Sequence, residues 1–574
     1  GFPRMAILAA EEMASRGNLA MPSVDALIAR IIWGGGAPDP KALETLQLLS
    51  LFSVVGVENQ FSSELELIST FSGRRYEELY SDIVRFAQRG IITHIGDFVE
   101  VQPLPLAIRL ARQWIKNKPS NSLWNLFSSL DSKMQIMMLG RLRWLSRLDA
   151  VGNFSNTVLR ELLPTKDDLK SEIGSKLFDR LVHLDADRAM THLERLIGDK
   201  TVDELREFQG VGWYVVQALK KLVFRKETFE RSAILLLKFS SCEEENYGNH
   251  AKEHFITLYQ LYLSGSEAEP DTKLSVLDEG LSSDDLRTRK VSLSALGRML
   301  ESHHFTRSGG NERIGAELPL KDWRPKTYKD QFDYCRAALT RLERIASDED
   351  DQLETEALQI IGSNLRGILR FEPLLEEVKA MISRVQPFWP NWFGPLCAVN
   401  DWLFFDSDDA PAEYRARIRG MYDELLPQDS FRLILLHSSG WSGDFTDPDI
   451  KYDPDSDQED RYSEKVLEDL IKKEPKYAEY YLPLLNEFKT GEYSSSPGTL
   501  VRIAEHVTDP EYLINLICSY ASKGVSANLC ADLVRAVIVG ANRVNKKKGL
   551  DCLSVAMSCK ELDPYLIMLA GSVN

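Results

Sequence analysis

A mainly α protein is what the sequence predicts, on three observations. Apolar residues recur at helical spacing along most of the 574-residue chain. Runs that suit strands are confined to one short stretch, residues 91–101. Two segments far apart, "SSDDLRTRKVSLSALGRML" (282–300) and "SDEDDQLETEALQIIGSNL" (347–365), resemble each other. The first observation is the signature of helices that bury one face. The second limits any sheet to a small module near the N-terminus. The third points to helix pairs stacked as repeats. The predicted fold class is a winged-helix module followed by an α-solenoid array of HEAT- or TPR-like pairs.

The elements follow in order. Residues 1–33 read as two helices, ended by Gly34-Gly35-Gly36-Ala37-Pro38, a boundary signal. "KALETLQLLSLFSVV", "SSELELISTFSG" and "RYEELYSDIVRFAQRG" have the apolar spacing of three helices. "IITHIGDFVEV" places β-branched and apolar residues on both sides of Gly96-Asp97, predicting a two-stranded hairpin. "PLAIRLARQWI" then opens a helix at Pro105, where a first-turn proline is tolerated. Three helices and a hairpin wing define the winged-helix expectation. Beyond residue 120 nearly every segment reads as a helix between short polar breaks. In both repeats, Ser and Asp residues precede the apolar stripe and are suited to cap its helix. The stretch 443–460 has no periodicity and reads as an exposed acidic loop. The expected segments are 1–37, 38–119, 120–400, 401–465 and 466–574, the last a set of C-terminal helical repeats.

Composition narrows the function classes. The net charge is -17, which disfavours a broad nucleic-acid footprint. The acidity is local: residues 401–464 hold 17 Asp and Glu against 6 Lys and Arg, whereas residues 1–119 hold 13 against 12. No apolar run reaches the roughly 18–20 residues a membrane span needs. Seven scattered cysteines without a C-x-x-C pair, and the lack of a secretion-signal layout, suit a reducing, cytoplasmic compartment.

Each chemical motif has a plainer structural counterpart. Gly198-Asp199-Lys200-Thr201 approaches a phosphate-binding loop but lacks the glycine before Lys and the upstream glycine that lets amides wrap a phosphate. "HAKEH" puts His250 and His254 one helical turn apart, with Glu253 as a base, in the pattern of inverted zinc peptidases. No second motif supplies the third ligand a catalytic zinc requires, so a polar helix surface is the stronger reading and no metal is assigned. Asp453, Asp455, Asp457 and Glu464 match calcium-loop positions 1, 3, 5 and 12, but Gln458 stands where glycine is required. The aromatic run holding Trp389, Trp392, Phe393, Trp402, Phe404 and Phe405 fits a core, or a patch that anchors a partner. Arg74, Arg75, Arg85 and Arg89 lie where a DNA reader carries its recognition helix, interrupted by Glu77, Glu78 and Asp82, which favours internal pairing.

Gly1-Phe2-Pro3 followed by "RMAILAAEEMA", directly before the winged-helix pattern, resembles the end of the nucleotide-binding module of STAND-class ATPases. Residues 227–270, 282–300 and 319–339 resemble the helical C-terminal half of a bacterial STAND group associated with antiviral defence, the Avs-like proteins. The resemblance implies that residues 1–37 end the ATPase lid and that Gly1 and Pro3 contact the adenine of ATP or ADP, held with Mg mostly outside this chain. It implies a helical sensor for a foreign or phage protein, homo-oligomerisation (a tetramer is one form) and an effector upstream. Nucleic acid would enter only through that effector. Trp323, Arg324, Lys326 and Tyr328 in "DWRPKTY", with Trp389 and Trp392, are the expected partner-binding residues, and no catalytic residue is assigned to this segment. One departure stands out: relatives carry a His after the wing, whereas "VQPLPLA" (101–107) has none, and His94 is not an evident substitute. The rival expectations are a transcription regulator with the winged helix on DNA, and a zinc peptidase using the HAKEH residues.

Overall fold

A computed structural model describes residues 24–34, 36–208, 212–242, 251–302, 305, 313–348, 352–438, 445–450, 462–473, 501–502, 504–524 and 526–573. These residues are mostly helical, with one three-stranded sheet among them. The chain divides into two compact units, one of residues 1–298 and 305–326, the other of residues 299–304 and 327–574. Among the described residues, no helix is long and apolar enough to cross a membrane.

The first unit opens with α1 (Val24–Trp33), stopped by Gly34, whose φ of 61° is the left-handed conformation that glycine adopts freely. Its N–H closes the helix on Arg30 O at 2.7 Å. Next, α2 (Pro40–Leu49) is capped by the Asp39 carboxylate and has proline in its first turn. There follow β1 (Val55–Gly56), α3 (Ser63–Ser72), α4 (Tyr76–Gln88), β2 (Ile92–Ile95), β3 (Phe98–Val101) and α5 (Leu104–Asn117). The hairpin turns at Gly96, φ 60°. The sheet order is β1-β3-β2, antiparallel throughout.

One expectation fails here: the helix read over 41–55 stops at Leu49, and Val55–Gly56 pairs with β3. An unbroken apolar run fits a buried helix or a buried strand equally well, and pairing decides between them. Leu51, Phe52 and Val55 are all buried. A side chain at position 56 would stand 2.7 Å from Phe61 O, so the close approach needs glycine.

Two basic residues of the next long helix, Ser132–Leu142, fasten it to this module. Arg141 is 2% exposed; its guanidinium donates to Phe52 O at 3.0 Å and Ser53 O at 3.3 Å, and lies 3.5 Å from Glu100. Lys133 pairs with Glu64 at 2.7 Å and lies over the rings of Phe61 and Phe98. Glu64 in turn accepts the Gly56 N–H.

Beyond residue 120 the described elements are helical, and helices near in sequence pack together within each unit. In the first, Glu172–Leu181 packs on Gly212–Leu222, and Gly212–Leu222 on Phe229–Cys242. In the second, Tyr328–Ala346 packs on Glu354–Ile368, which packs on Gly394–Phe405, which packs on Ala412–Leu425. Apolar stripes drive this. Helix Ala186–Ile197 buries Ala189, Met190, Leu193 and Ile197, the three- and four-residue steps that line one face.

Side-chain bonds between successive layers recur at near-constant sequence separation. In the first unit Lys221 bonds Asp179 (42 residues apart), Arg231 bonds Glu194 (37) and Lys238 bonds Gly198 O (40). In the second, Arg336–Glu377, Arg384–Glu343 and Arg417–Glu376 are each 41 apart, and Lys379–Glu424 is 45. This is the period of two-helix repeats of about 40–47 residues. The two resembling segments both form helices, Leu286–Leu300 and Glu354–Ile368. Only the first has its predicted acidic cap, Asp285 accepting the Arg287 N–H at 3.0 Å. The second starts from Leu353 without a side-chain cap.

Candidate functional site

The resemblance to a phosphate loop ends at helix capping. Thr201 caps Val202–Leu205 and Glu204 returns the bond to the Thr201 N–H, a capping box. Lys200 pairs with Asp199 and Glu204. The arginines of the α3–α4 region are likewise paired within the module, Arg74 largely covered and Arg75 and Arg85 on its surface. Arg74 bonds Asp82 at 2.9 Å and Lys41 O at 3.0 Å, Arg75 bonds Glu78, Arg85 reaches Asp39, and Arg89 reaches Ile31 O. In the HAKEH stretch, Glu253 accepts from Thr257 and Arg298, while His250 lies outside the described residues. Among the described residues no cluster of three His, Cys, Asp or Glu is placed to hold a metal. Gly1, Pro3, Asp453, Asp455 and Asp457 lie outside the described residues.

"DWRPKTY" divides between the two units. Its first half is stitched onto residues 264–267: Trp323 N–H donates to Ser266 O at 2.7 Å, and Asp322 accepts the Gly265 N–H at 3.3 Å. Beneath it lies Lys273, wholly buried, whose ammonium donates to Ser264 Oγ at 3.0 Å and sits 5.7 Å from the Trp323 ring centre. Burial pushes the Lys273 amine down to about 7, against the opposing pull of Asp322 and Glu269. Arg324 and Lys326 are exposed. Tyr328 belongs to the second unit, opens the helix capped by Thr327, is 78% exposed and stacks on Phe332.

Trp389 and Trp392 share the connection between Leu375–Val385 and Gly394–Phe405, and both are half-buried. Their indole N–H groups donate to Ala346 O at 2.6 Å and Leu358 O at 3.2 Å, carbonyls of two earlier helices. Gln386 holds the same loop through Trp389 O and Pro390 O. These tryptophans orient the loop from which Gly394–Phe405 starts.

That helix forms one wall of a groove of about 650 Å³, a volume in the range of ligand pockets, about 300–1,000 Å³. At its base Gly362 and Gly394 touch backbone to backbone: a Cβ on Gly362 would lie 3.2 Å from Gly394 Cα. The rim carries Glu301, Ser363, Asn364, Arg366, Arg370 and Asp401. Arg366 and Arg370, one turn apart, converge on Asp406 at 2.8 and 2.7 Å, and the Arg366 guanidinium stacks 4.5 Å from the Phe405 ring centre. Two cations on one carboxylate leave donors to spare for a partner. Cys397, also lining the groove, has its thiol pushed up to about 12 by burial, which keeps it protonated and poorly nucleophilic at neutral pH. The arrangement is suited to gripping a polar segment.

Asn400, fully buried on the same helix, holds the far wall. It donates to Thr446 O at 2.9 Å and accepts the Thr446 N–H at 3.0 Å and hydroxyl at 3.2 Å. Asn400→Ala leaves both Thr446 backbone groups buried without a partner and is expected to destabilise the second unit by about 2–3 kcal/mol. Hydrogen exchange at the Thr446 amide checks this; unchanged protection would show that the clamp holds nothing. The sequence reading did not single out Arg366, Arg370, Asp406 or Asn400. Their only local signal is the i,i+4 spacing of the arginines in "NLRGILR", because the partners come from another repeat.

No known protein-family profile matches the chain, and no curated protein matches it. Among solved structures, the crystal structure of an engineered protein is 13% identical with a TM-score of 0.21, covering 79% of this chain and 98% of that one. The crystal structure of Kap121p is 12% identical with a TM-score of 0.30, covering 99% of this chain and 57% of that one. At these TM-scores neither likeness bears on function.

Proposed function

We propose that the chain is the sensor and regulatory portion of a STAND-class NTPase, recognising a foreign protein, such as one made by a phage, through its helical layers. On this reading residues 38–119 are a winged-helix module that links sensor to nucleotide module. Recognition triggers nucleotide-dependent oligomerisation and switches on an upstream effector. The observation that carries the reading is the order of elements: three helices, a hairpin and a helix, then layers bonded at 37 to 45 residues. A repeat scaffold of this kind keeps its backbone while surface side chains vary, which suits recognition of a partner's fold. The groove beside Arg366 and Arg370, and exposed Arg324 and Tyr328, are the contact points it offers. Gly1 and Pro3, assigned to the adenine by resemblance, lie outside the described residues. DNA recognition is less well supported, because Arg74, Arg85 and Arg89 are engaged internally.

The test is phage challenge of bacteria expressing the full-length protein. Protection is expected against some phages, with escape mutations concentrated in one phage protein that binds the purified protein directly. Arg370→Glu should weaken that binding at least about tenfold, the loss of a charge-assisted contact. Absence of protection across a broad panel, together with tight salt-dependent binding to duplex DNA, would transfer the assignment to the transcription-regulator reading.

A further inference from the structure

Helix Lys546–Ala556 buries Gly549, Cys552 and Ala556 and packs on Ala527–Val544 and Pro510–Ala521. Its first turn carries Lys546, Lys547 and Lys548, all exposed. Leu550 follows one turn on, and Met557 two turns beyond that, on the face opposite the buried residues. The end of the preceding helix adds exposed Arg543 and Val544. Leu550 is 48%, Val544 57% and Met557 59% exposed. Residues 543–560 hold five Lys and Arg against one Asp, in a chain whose net charge is -17. Arg543 is paired with Glu505 at 2.9 Å, whereas Lys546, Lys547 and Lys548 make no ion pair among the described residues. Local structure gains nothing from these lysines. The first turn is the positive end of a helix, where acidic residues are favoured, and none stands there. Asn545 caps the turn by accepting the Lys547 N–H at 2.9 Å, so the lysine side chains are left to solvent.

We infer that this turn and the outer face of Lys546–Ala556 dock the chain on an anionic lipid surface. The lysine heads meet the lipid phosphates, while Val544, Leu550 and Met557 reach the boundary of the acyl chains. A phosphate backbone or an acidic peptide would use the lysines alone and leave these three aliphatic side chains in water. The choice of cation agrees. Lysine acts as a mobile point charge, suited to a fluid array of headgroups, whereas recognition of one fixed carboxylate favours the two-pronged guanidinium of arginine. The acidity of the whole chain does not forbid the contact, because salt limits the reach of each charge to about 8–10 Å. Within that reach the local balance decides, and it stays positive even with Glu505 counted against Arg543. The inference is separate from the sensor assignment: it concerns where the chain is held, not which protein it recognises.

The test is flotation of the full chain with vesicles of pure phosphatidylcholine, and with vesicles in which about one lipid in three is phosphatidylglycerol. Binding is expected to the anionic vesicles alone, and should fall at least about tenfold between about 0.1 and 0.5 M salt. Lys546→Gln, Lys547→Gln and Lys548→Gln together should weaken it on the order of a hundredfold, since each lysine near such a surface is worth about fivefold. Leu550→Ser with Met557→Ser should weaken it about tenfold and leave the salt dependence in place. Equal flotation with neutral vesicles, or undiminished binding by the triple lysine variant, would overturn the assignment. So would binding of polyglutamate or duplex DNA through these lysines without any binding to vesicles. Should a variant fail to fold, absence of flotation of the unsubstituted chain with anionic vesicles overturns it unaided.

Discussion

Arg141→Met lowers the stability of the first unit by about 3–5 kcal/mol, the usual consequence of removing one member of a buried charged network. The guanidinium is 2% exposed and ties three groups together: Phe52 O, Ser53 O and Glu100. Methionine fills similar space but donates nothing, so two carbonyls are left dry and Glu100 loses its partner. Burial holds the Arg141 pKa below its ordinary value while Glu100 opposes the shift. Arg141→Lys keeps the charge without the two-pronged donor and should fall between the two. Urea denaturation gives the magnitude, and hydrogen exchange in β1 and β3 gives the location. If Met is tolerated within about 1 kcal/mol, the fastening of the N-terminal module to the helical layers lies elsewhere.

Lys273 is expected to make stability rise with pH. In the folded chain its amine loses the proton at about pH 7, while an unfolded lysine keeps it to about 10.4. Between those values the unfolded state holds the extra proton, so raising the pH favours folding. The slope contributed is at most about 1.4 kcal/mol per pH unit, and the penalty is fully present below about pH 7. Lys273→Met removes the slope and stabilises the unit at neutral pH by about 2–4 kcal/mol, after about 1 kcal/mol is lost for the bond to Ser264. Thermal melts of both forms at pH 6.5, 8 and 9.5 check it. Parallel melting curves for the two forms would show that Lys273 stays charged in the folded state.

The other end of the pH scale is governed by histidines. Burial pushes His437 down to about 4 and His183 down to about 3, so both stay neutral in the folded chain where an unfolded imidazole gains a proton. Stability should therefore fall as pH drops from about 6.5 toward 4, in both units.

Local pattern disclosed the order of helices and the hairpin, because Gly34 and Gly96 sit where the backbone needs a left-handed residue and the apolar stripes have one clear period. Val55–Gly56 was not legible as a strand, since its partner Val99 is 44 positions away and an apolar run suits either state. The same cause hid the groove. Arg366 and Arg370 look like any solvated helix face until Asp406 and Phe405 arrive from another layer. The aromatic run showed its tryptophans but not that their N–H groups would be taken up by Ala346 and Leu358.

The evenly spaced ion pairs have a mechanical consequence. The exposed pairs bridge neighbouring layers at the surface, as Arg336 does to Glu377 and Arg417 to Glu376, so they resist sliding of one layer over the next while adding little to folding stability. Such a stack behaves as a spring whose stiffness resides in its rungs and whose integrity resides in its core. Salt screens the rungs and spares the core. Within each unit, raising ionic strength should therefore soften the layers well before it unfolds them, leaving the surface more compliant at no loss of fold.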